Sequence, residues 1–162
     1  MKHELQDMID ECFNEISDIG TRIASLPPLD REVKYLTYYA LIKASGTAEF
    51  VYRSIVADYF SQLGSSRIDT YLESTIRKGS MSAKYEKMKE LLGKFDDQWS
   101  SEFQARLNER EDKNRLITSS NSLVTNRHCF AHGDPPSATF YDISQYYSDV
   151  VELIGIFDSV VC

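Results

Sequence analysis

Glycine and proline are scarce in this chain, seven and four in 162 residues. Turns should therefore be few, and long helices are the expected elements. Cysteine is scarcer still. Cys12, Cys129 and Cys162 are odd in number, widely spaced and without a CxxC pair. That excludes a disulfide framework and leaves reduced thiols in a cytoplasmic compartment as the simplest expectation. No HExxH and no Cys/His cluster occurs, so no metal site is expected. GxxxxGKS/T and GxGxxG are both missing, which argues against a P-loop or Rossmann nucleotide site, and no cofactor is expected. Ser119-Ser120 lacks the strand–turn–helix setting of a hydrolase nucleophile. No apolar run approaches the ~20 residues of a membrane span, and the polar opening, residues 1–7, lacks the apolar core of a signal peptide. A membrane partner is not expected. A basic stripe is absent too: the formal net charge is −7. Any RNA contact must then be a local cationic pocket rather than a broad basic surface, and the acidity favours a basic protein partner.

What is present is helical periodicity. No stretch sustains alternation at period two, so no sheet is expected, and there is no internal repeat. Over residues 2 to about 26, Leu5, Met8, Ile9, Cys12, Phe13, Ile16, Ile19 and Ile23 mark one face of an amphipathic helix. Cys12 falls on that face, as a buried, inert thiol, and Pro27-Pro28 ends the helix. Asp30 is the expected N-cap of a longer helix to about Leu63, with Tyr35, Leu36, Tyr39, Ile42, Phe50, Ile55, Val56 and Phe60 as its apolar set. Ala44, Ser45, Gly46 and Ala48 interrupt it, either as a close helix crossing or subunit contact, or as a tolerated glycine.

Gly64-Ser65-Ser66 breaks the chain. Helical pieces are expected over 67–78, 82–92 and 95–110, the last two hinged near Gly93. Residues 66–112 are highly charged and weakly periodic, and they read as a solvated connector, with a lid as the alternative. A helix from Asp112 to His132 follows, with Gly133 at its C′ position and Pro135-Pro136 behind it. The last helix begins near Thr139 and carries Ile143, Tyr146, Tyr147, Val150, Leu153, Ile154, Phe157 and Val161. The expected fold is all-α, one domain over 1–162, an up-and-down bundle of four to five long helices plus short ones.

The chemistry-bearing stretch is Arg127-His128-Cys129-Phe130-Ala131-His132-Gly133. Arginine is permanently cationic and suits a phosphate; histidine is the side chain that ordinarily titrates nearest neutrality. On a helical wheel, Leu116, Ile117, Leu123, Val124, Phe130 and Ala131 form an apolar arc, and Arg127 projects from its middle. An unpaired buried guanidinium is costly. It therefore needs an acidic partner, a subunit interface or a bound anion. Asn121, Thr125, His128 and His132 form a neighbouring polar stripe. His132 is displaced from Arg127 by roughly 140° and ~7.5 Å along the axis. Two arrangements bring them together: fraying of the helix end at a cleft edge, or a two-fold axis where two copies of the helix meet. A purely structural pair, a buried ion-paired arginine and a capping histidine, is the alternative. Glu49 and Arg53 make an i,i+4 pair on the second helix, a surface ion pair unless Glu49 turns to Arg127. Asn121 and Asn126 are further polar candidates for substrate contact.

The segment from Leu123 to Gly133, with Arg127, the polar His128 directly after it, and His132 closing Ala-His-Gly, resembles the motif of HEPN domains, of the ribonuclease-toxin-like branch. The helix through Ala48-Glu49-Phe50 is similar to an early helix of that branch, and the resemblance spans about residues 30–160. It implies a helical bundle that forms a homodimer, with Arg and His of both copies in one composite cleft. It also implies metal-independent endoribonuclease chemistry on RNA in toxin–antitoxin, phage-defence or RNA-processing settings. In that reading Arg127 holds the phosphate, His132 is general base or acid, and His128 orients the site, with Asn126, Asn121 and Glu49 contacting substrate. An antitoxin or other partner protein is a further implied partner. Some antitoxin-paired members carry a modifiable tyrosine two residues after the His; that position here is Asp134. Other members have lost catalysis, so the alternative function is a helical dimerisation module that binds a nucleotide or a partner protein.

Overall fold

The periodic segments fold as α1 (His3–Ala24), α2 (Arg31–Leu63), α3 (Ser66–Leu72), α4 (Tyr85–Phe95), α5 (Asp97–Asn108), α6 (Lys113–Ala131) and α7 (Phe140–Asp158) in the computed structural model. It describes residues 1–27, 29–63 and 66–161. Expectations for Pro28, for the Gly64-Ser65 break and for Cys162 lie outside those residues. No strand occurs among the described residues, and none of their helices is long and apolar enough to cross a membrane. The architecture is the expected all-α bundle, with α1, α2, α6 and α7 as its long helices.

Helix α2 is central, lying against α1, α6 and α7, while α6 and α7 pack on each other. Asp30 starts it as expected, its Oδ1 accepting from the Glu32 amide at 2.8 Å. Helix α1 buries Leu5, Ile9, Cys12, Ile16 and Ile19 against the bundle. Burial pushes the Cys12 thiol pKa up, in keeping with an unreactive core cysteine. In the first half of α2 the buried face is Ala40, Leu41, Ala44 and Ala48, and not the expected Tyr35, Tyr39 and Ile42, which are exposed. Apolar residues surround that half-helix on most sides, so periodicity alone does not select the face that is covered. Ala44, Ser45 and Ala48 sit in the core, whereas nothing lies within 4 Å of a side chain built at Gly46.

Residues 66–112 are not a solvated connector. Leu72, Ile76, Tyr85, Met88, Leu91, Leu92, Trp99, Phe103 and Leu107 are all buried. Phe60 stacks on Phe95 with ring centroids 4.6 Å apart, and Phe103 bridges Tyr85 and Phe157. The charged residues of this segment occupy the outer faces of short amphipathic helices. Helix α3 runs into a π-helical turn, Glu73–Arg77, closed by the Lys78 amide on the Glu73 carbonyl at 3.0 Å. At Gly79 a side chain would meet the Thr75 carbonyl oxygen at 2.4 Å, so this tight exit admits only glycine. The break between α4 and α5 falls at Asp96 rather than Gly93, which lies inside α4. Asp96 is extended and its side chain caps α5 through the Gln98 amide at 2.7 Å.

Gly46→Ala is expected to stabilise the fold by about 0.5–1 kcal/mol, because alanine fits the helix without contact and loses less freedom on folding. Thermal melts should show a rise of about 1–4 °C.

Candidate active site

The Arg–His segment is the last turn and a half of α6, and its end is sharply defined. His132 is the C-cap residue. Gly133 takes φ +87° at C′, donates to the Phe130 carbonyl at 3.2 Å, and is followed by the Asp134 amide on the Cys129 carbonyl at 2.9 Å. These two bonds are a Schellman motif, so the helix does not fray. The chain then returns along α6. Asn126 Oδ1 accepts from the backbone amides of Ser137 (2.8 Å) and Ala138 (2.9 Å) and from the Ser137 hydroxyl (3.3 Å). Its amide donates to the Ser122 carbonyl at 2.9 Å. Thr139 and Asp142 then form a capping box that starts α7. Asn126 is thus occupied in holding the α6–α7 connection and does not line the cavity.

Arg127 projects from the arc the helical wheel assigned it, but that end of the arc is not covered. Its side chain is 38% exposed on the lip of a cavity of about 540 Å³. Helix α2 contributes Glu49 and Arg53 to the wall, α4 contributes Lys87 and Leu91, and α6 contributes Arg127 and His128. The rest is the π turn and the loop after it, through Met81 and Ser82. That loop is held from both sides: the Tyr52 hydroxyl reaches the Met81 and Ser82 carbonyls at 3.1 Å, and the Ser120 hydroxyl the Ala83 carbonyl at 2.7 Å.

Glu49 and Arg53 are not a surface ion pair. Both are buried, and Arg53 Nε donates to the backbone carbonyl of Glu49 at 2.7 Å. Glu49 Oε2 lies 3.9 Å from Arg127 Nη2, which makes Glu49 the acidic neighbour that the arginine needs. Burial raises the Glu49 carboxyl pKa, opposed by the charges of Arg127, Arg53 and His128. The cavity wall therefore carries Arg53, Lys87, Arg127 and His128 beside the carboxylate of Glu49, in a chain of net charge −7, with the Lys87 ammonium paired to Glu90 at 2.6 Å.

His132 does not line this cavity. It is exposed at the helix end, its ring nearly parallel to that of His128 (7°) with centroids 6.3 Å apart. Asn121 is half-buried and also outside the wall. One chain thus brings Arg127, His128 and Glu49 together and leaves His132 on the neighbouring surface. Lys87 and the 79–82 loop carry no sequence signal. Arg53 does carry one, as a charge amid Val51, Tyr52, Ile55 and Val56. No cluster of His, Cys, Asp and Glu placed to hold a metal occurs among the described residues.

A family model described as RiboL-PSP-HEPN matches residues 7–162, nearly the whole chain and more than the Arg–His segment alone suggests. No curated protein and no solved structure matches.

Asn126→Ala is expected to cost about 1–3 kcal/mol by stranding the Ser137 and Ala138 amides. Their hydrogen exchange should accelerate together with a fall in melting temperature. A carboxyl whose pKa rises on folding opposes folding while it is ionised. Glu49→Gln should therefore melt no earlier than wild type at pH 7, and any gain should vanish as pH falls through the raised Glu49 pKa. Melts at pH 7 and pH 5 check this.

Proposed function

The chain belongs to the RiboL-PSP-HEPN family, and from that footing we propose that it is a metal-independent endoribonuclease acting as a homodimer, a toxin or defence effector. Family membership supports a nuclease-like or RNA-related role. The observation that carries the finer reading is the disposition of α6. Arg127 faces a cavity, His132 stands exposed just past the last turn, and the capped helix end keeps them from converging within one copy. A second copy meeting this end supplies the missing half. The surface there suits such a contact: Tyr35, Tyr39 and Ile42 are exposed at i, i+4 and i+7 of α2, and Tyr38 packs on Phe130, ring centroids 5.0 Å apart.

In this reading the substrate 2′-OH attacks the adjacent phosphorus. The 2′-O–P bond forms, the P–O5′ bond breaks, and a 2′,3′-cyclic phosphate remains. His132 takes the 2′ proton or, from the other copy, gives one to the leaving O5′. Arg127 holds the phosphate and stabilises its developing charge, and His128, with its ring parallel to that of His132, orients it. An antitoxin or other basic partner is a further proposed ligand of the acidic surface.

Wild-type protein should cut structured RNA in EDTA, leaving cyclic phosphate ends, and should leave an all-deoxy strand intact. Arg127→Ala and His132→Ala should each lower the rate by about 10²-fold or more. Light scattering should give the mass of a dimer. A monomer, or equal cleavage by all three proteins, would overturn this reading, and a dimer that binds without cutting would indicate the dimerisation module.

A further inference from the structure

Glu49 is the only carboxylate in the cavity wall among the described residues. It comes from the middle of α2, and its side chain is 11% exposed. Oε1 is fully buried, and Oε2 is the oxygen directed at Arg127, 3.9 Å from Nη2. That gap is too long for a hydrogen bond, so the two groups are free to address neighbouring atoms of one ligand rather than each other. The charged and titratable groups facing Glu49 are Arg53 on its own helix, Arg127 and His128 on α6, and Lys87 on α4, itself paired with Glu90. The π turn and the loop after it add only neutral residues to the wall, and Glu73, Arg77 and Lys78 pair with one another and with Asp58. Neither α1 nor α7 lines the cavity. Burial favours the neutral carboxyl, the cations favour the carboxylate, and burial is the larger effect. The result is a carboxylate more basic than a free one, which is what proton abstraction near neutral pH needs. A carboxyl perturbed by burial and by a specific cation, in a cleft, is the pattern of a functional acid or base.

We propose that Glu49 is the general base of the cleavage, its Oε2 taking the proton of the 2′-OH while Arg127 holds the adjacent phosphate. The 2′-OH and the phosphorus it attacks are near neighbours on one ribose, so a base and a phosphate-holding cation side by side match their spacing. The electron pair of the O–H bond becomes the 2′-O–P bond, the P–O5′ bond breaks, and O5′ takes a proton from His132 of a second copy. Water then carries the proton from Glu49 and restores the one His132 gave. With the base inside the cavity, His132, which stands outside it, is left as the acid. His128 shares the wall but is exposed to solvent, whereas Glu49 is held by the buried central helix. The proposal rests on the reading of this face as an RNA-cleaving site and names the base within it.

The test is the pH dependence of kcat and kcat/KM on structured RNA in EDTA, for wild type, Glu49→Gln and His128→Ala. Wild type should lose rate as pH falls through the raised Glu49 pKa, because the base is then protonated. Glu49→Gln should lower kcat by about 10²-fold or more with KM changed less than about threefold, and its residual rate should show no such fall. A purely structural Glu49 would not remove the acid limb. His128→Ala should be slower but keep that limb. Should Glu49→Gln fail to fold, the wild-type acid limb decides: the pKa of a carboxyl hardly moves with temperature, whereas that of an imidazole falls on warming. A limb that survives Glu49→Gln, disappears in His128→Ala or shifts on warming would overturn the proposal. A wild type that does not cut removes the nuclease reading and the base with it. A wild type disabled by Arg127→Ala and by His132→Ala, but not by Glu49→Gln, removes the base alone.

Discussion

Helix α2 is enclosed by α1, α6 and α7, and three of its ionisable side chains, Glu49, Arg53 and Asp58, are withdrawn from water as a result. Each must recover what desolvation costs it. Asp58 does so within the chain, with Arg77 at 2.7 Å and Lys2 at 3.0 Å. Glu49 and Arg53 do so only in part, and the space between α2 and the π turn stays open beside them. The difference between these two solutions on one helix separates an end of the molecule closed by its own ion pairs from the end where the active site is proposed.

The other half of the site depends on the α6–α7 hairpin. Buried Asp149 of α7 takes Arg115 and Ser119 of α6, and also Gln145, which locks the register of the two helices well before the motif. The Schellman turn, Asn126 and the Thr139–Asp142 box then fix the other end. Arg127, His128 and His132 are therefore held by a rigid frame, although all three reach solvent. The reaction proposed for these residues would draw on such preorganisation, because charges already in place need not reorganise as it proceeds.

Much of this frame is legible in the amino-acid sequence. Period and punctuation locate α1, α2, α6 and α7, and the roles of Asp30 and Gly133 follow from local capping chemistry, which needs no tertiary information. The failures share a physical cause. The charged helices of 66–112 bury one apolar stripe each, too short to stand out as a period. Tyr35, Tyr39 and Ile42 form as good a stripe as the one that is covered, and only the positions of α1 and α7 decide between them. Burial of Glu49 and Arg53 is likewise set by neighbours distant in sequence. The wheel places Arg127 on the correct arc, but it cannot choose the acidic neighbour, which comes from another helix.

The concentration of cations in one cavity of an otherwise acidic molecule bears on how ionic strength would act. For most proteins that hold polyanions, added salt weakens association, because releasing counterions into a more concentrated solution gains less. Here the far field of a chain at net −7 opposes a long polyanion, while attraction acts only within the pocket. The Debye length is about 10 Å at 0.1 M salt, so electrolyte first screens the distant repulsion and spares the short-range contacts. Encounter with a long strand should therefore quicken as salt rises from very low values before it slows, and a single nucleotide, which carries less charge, should show the same rise only weakly.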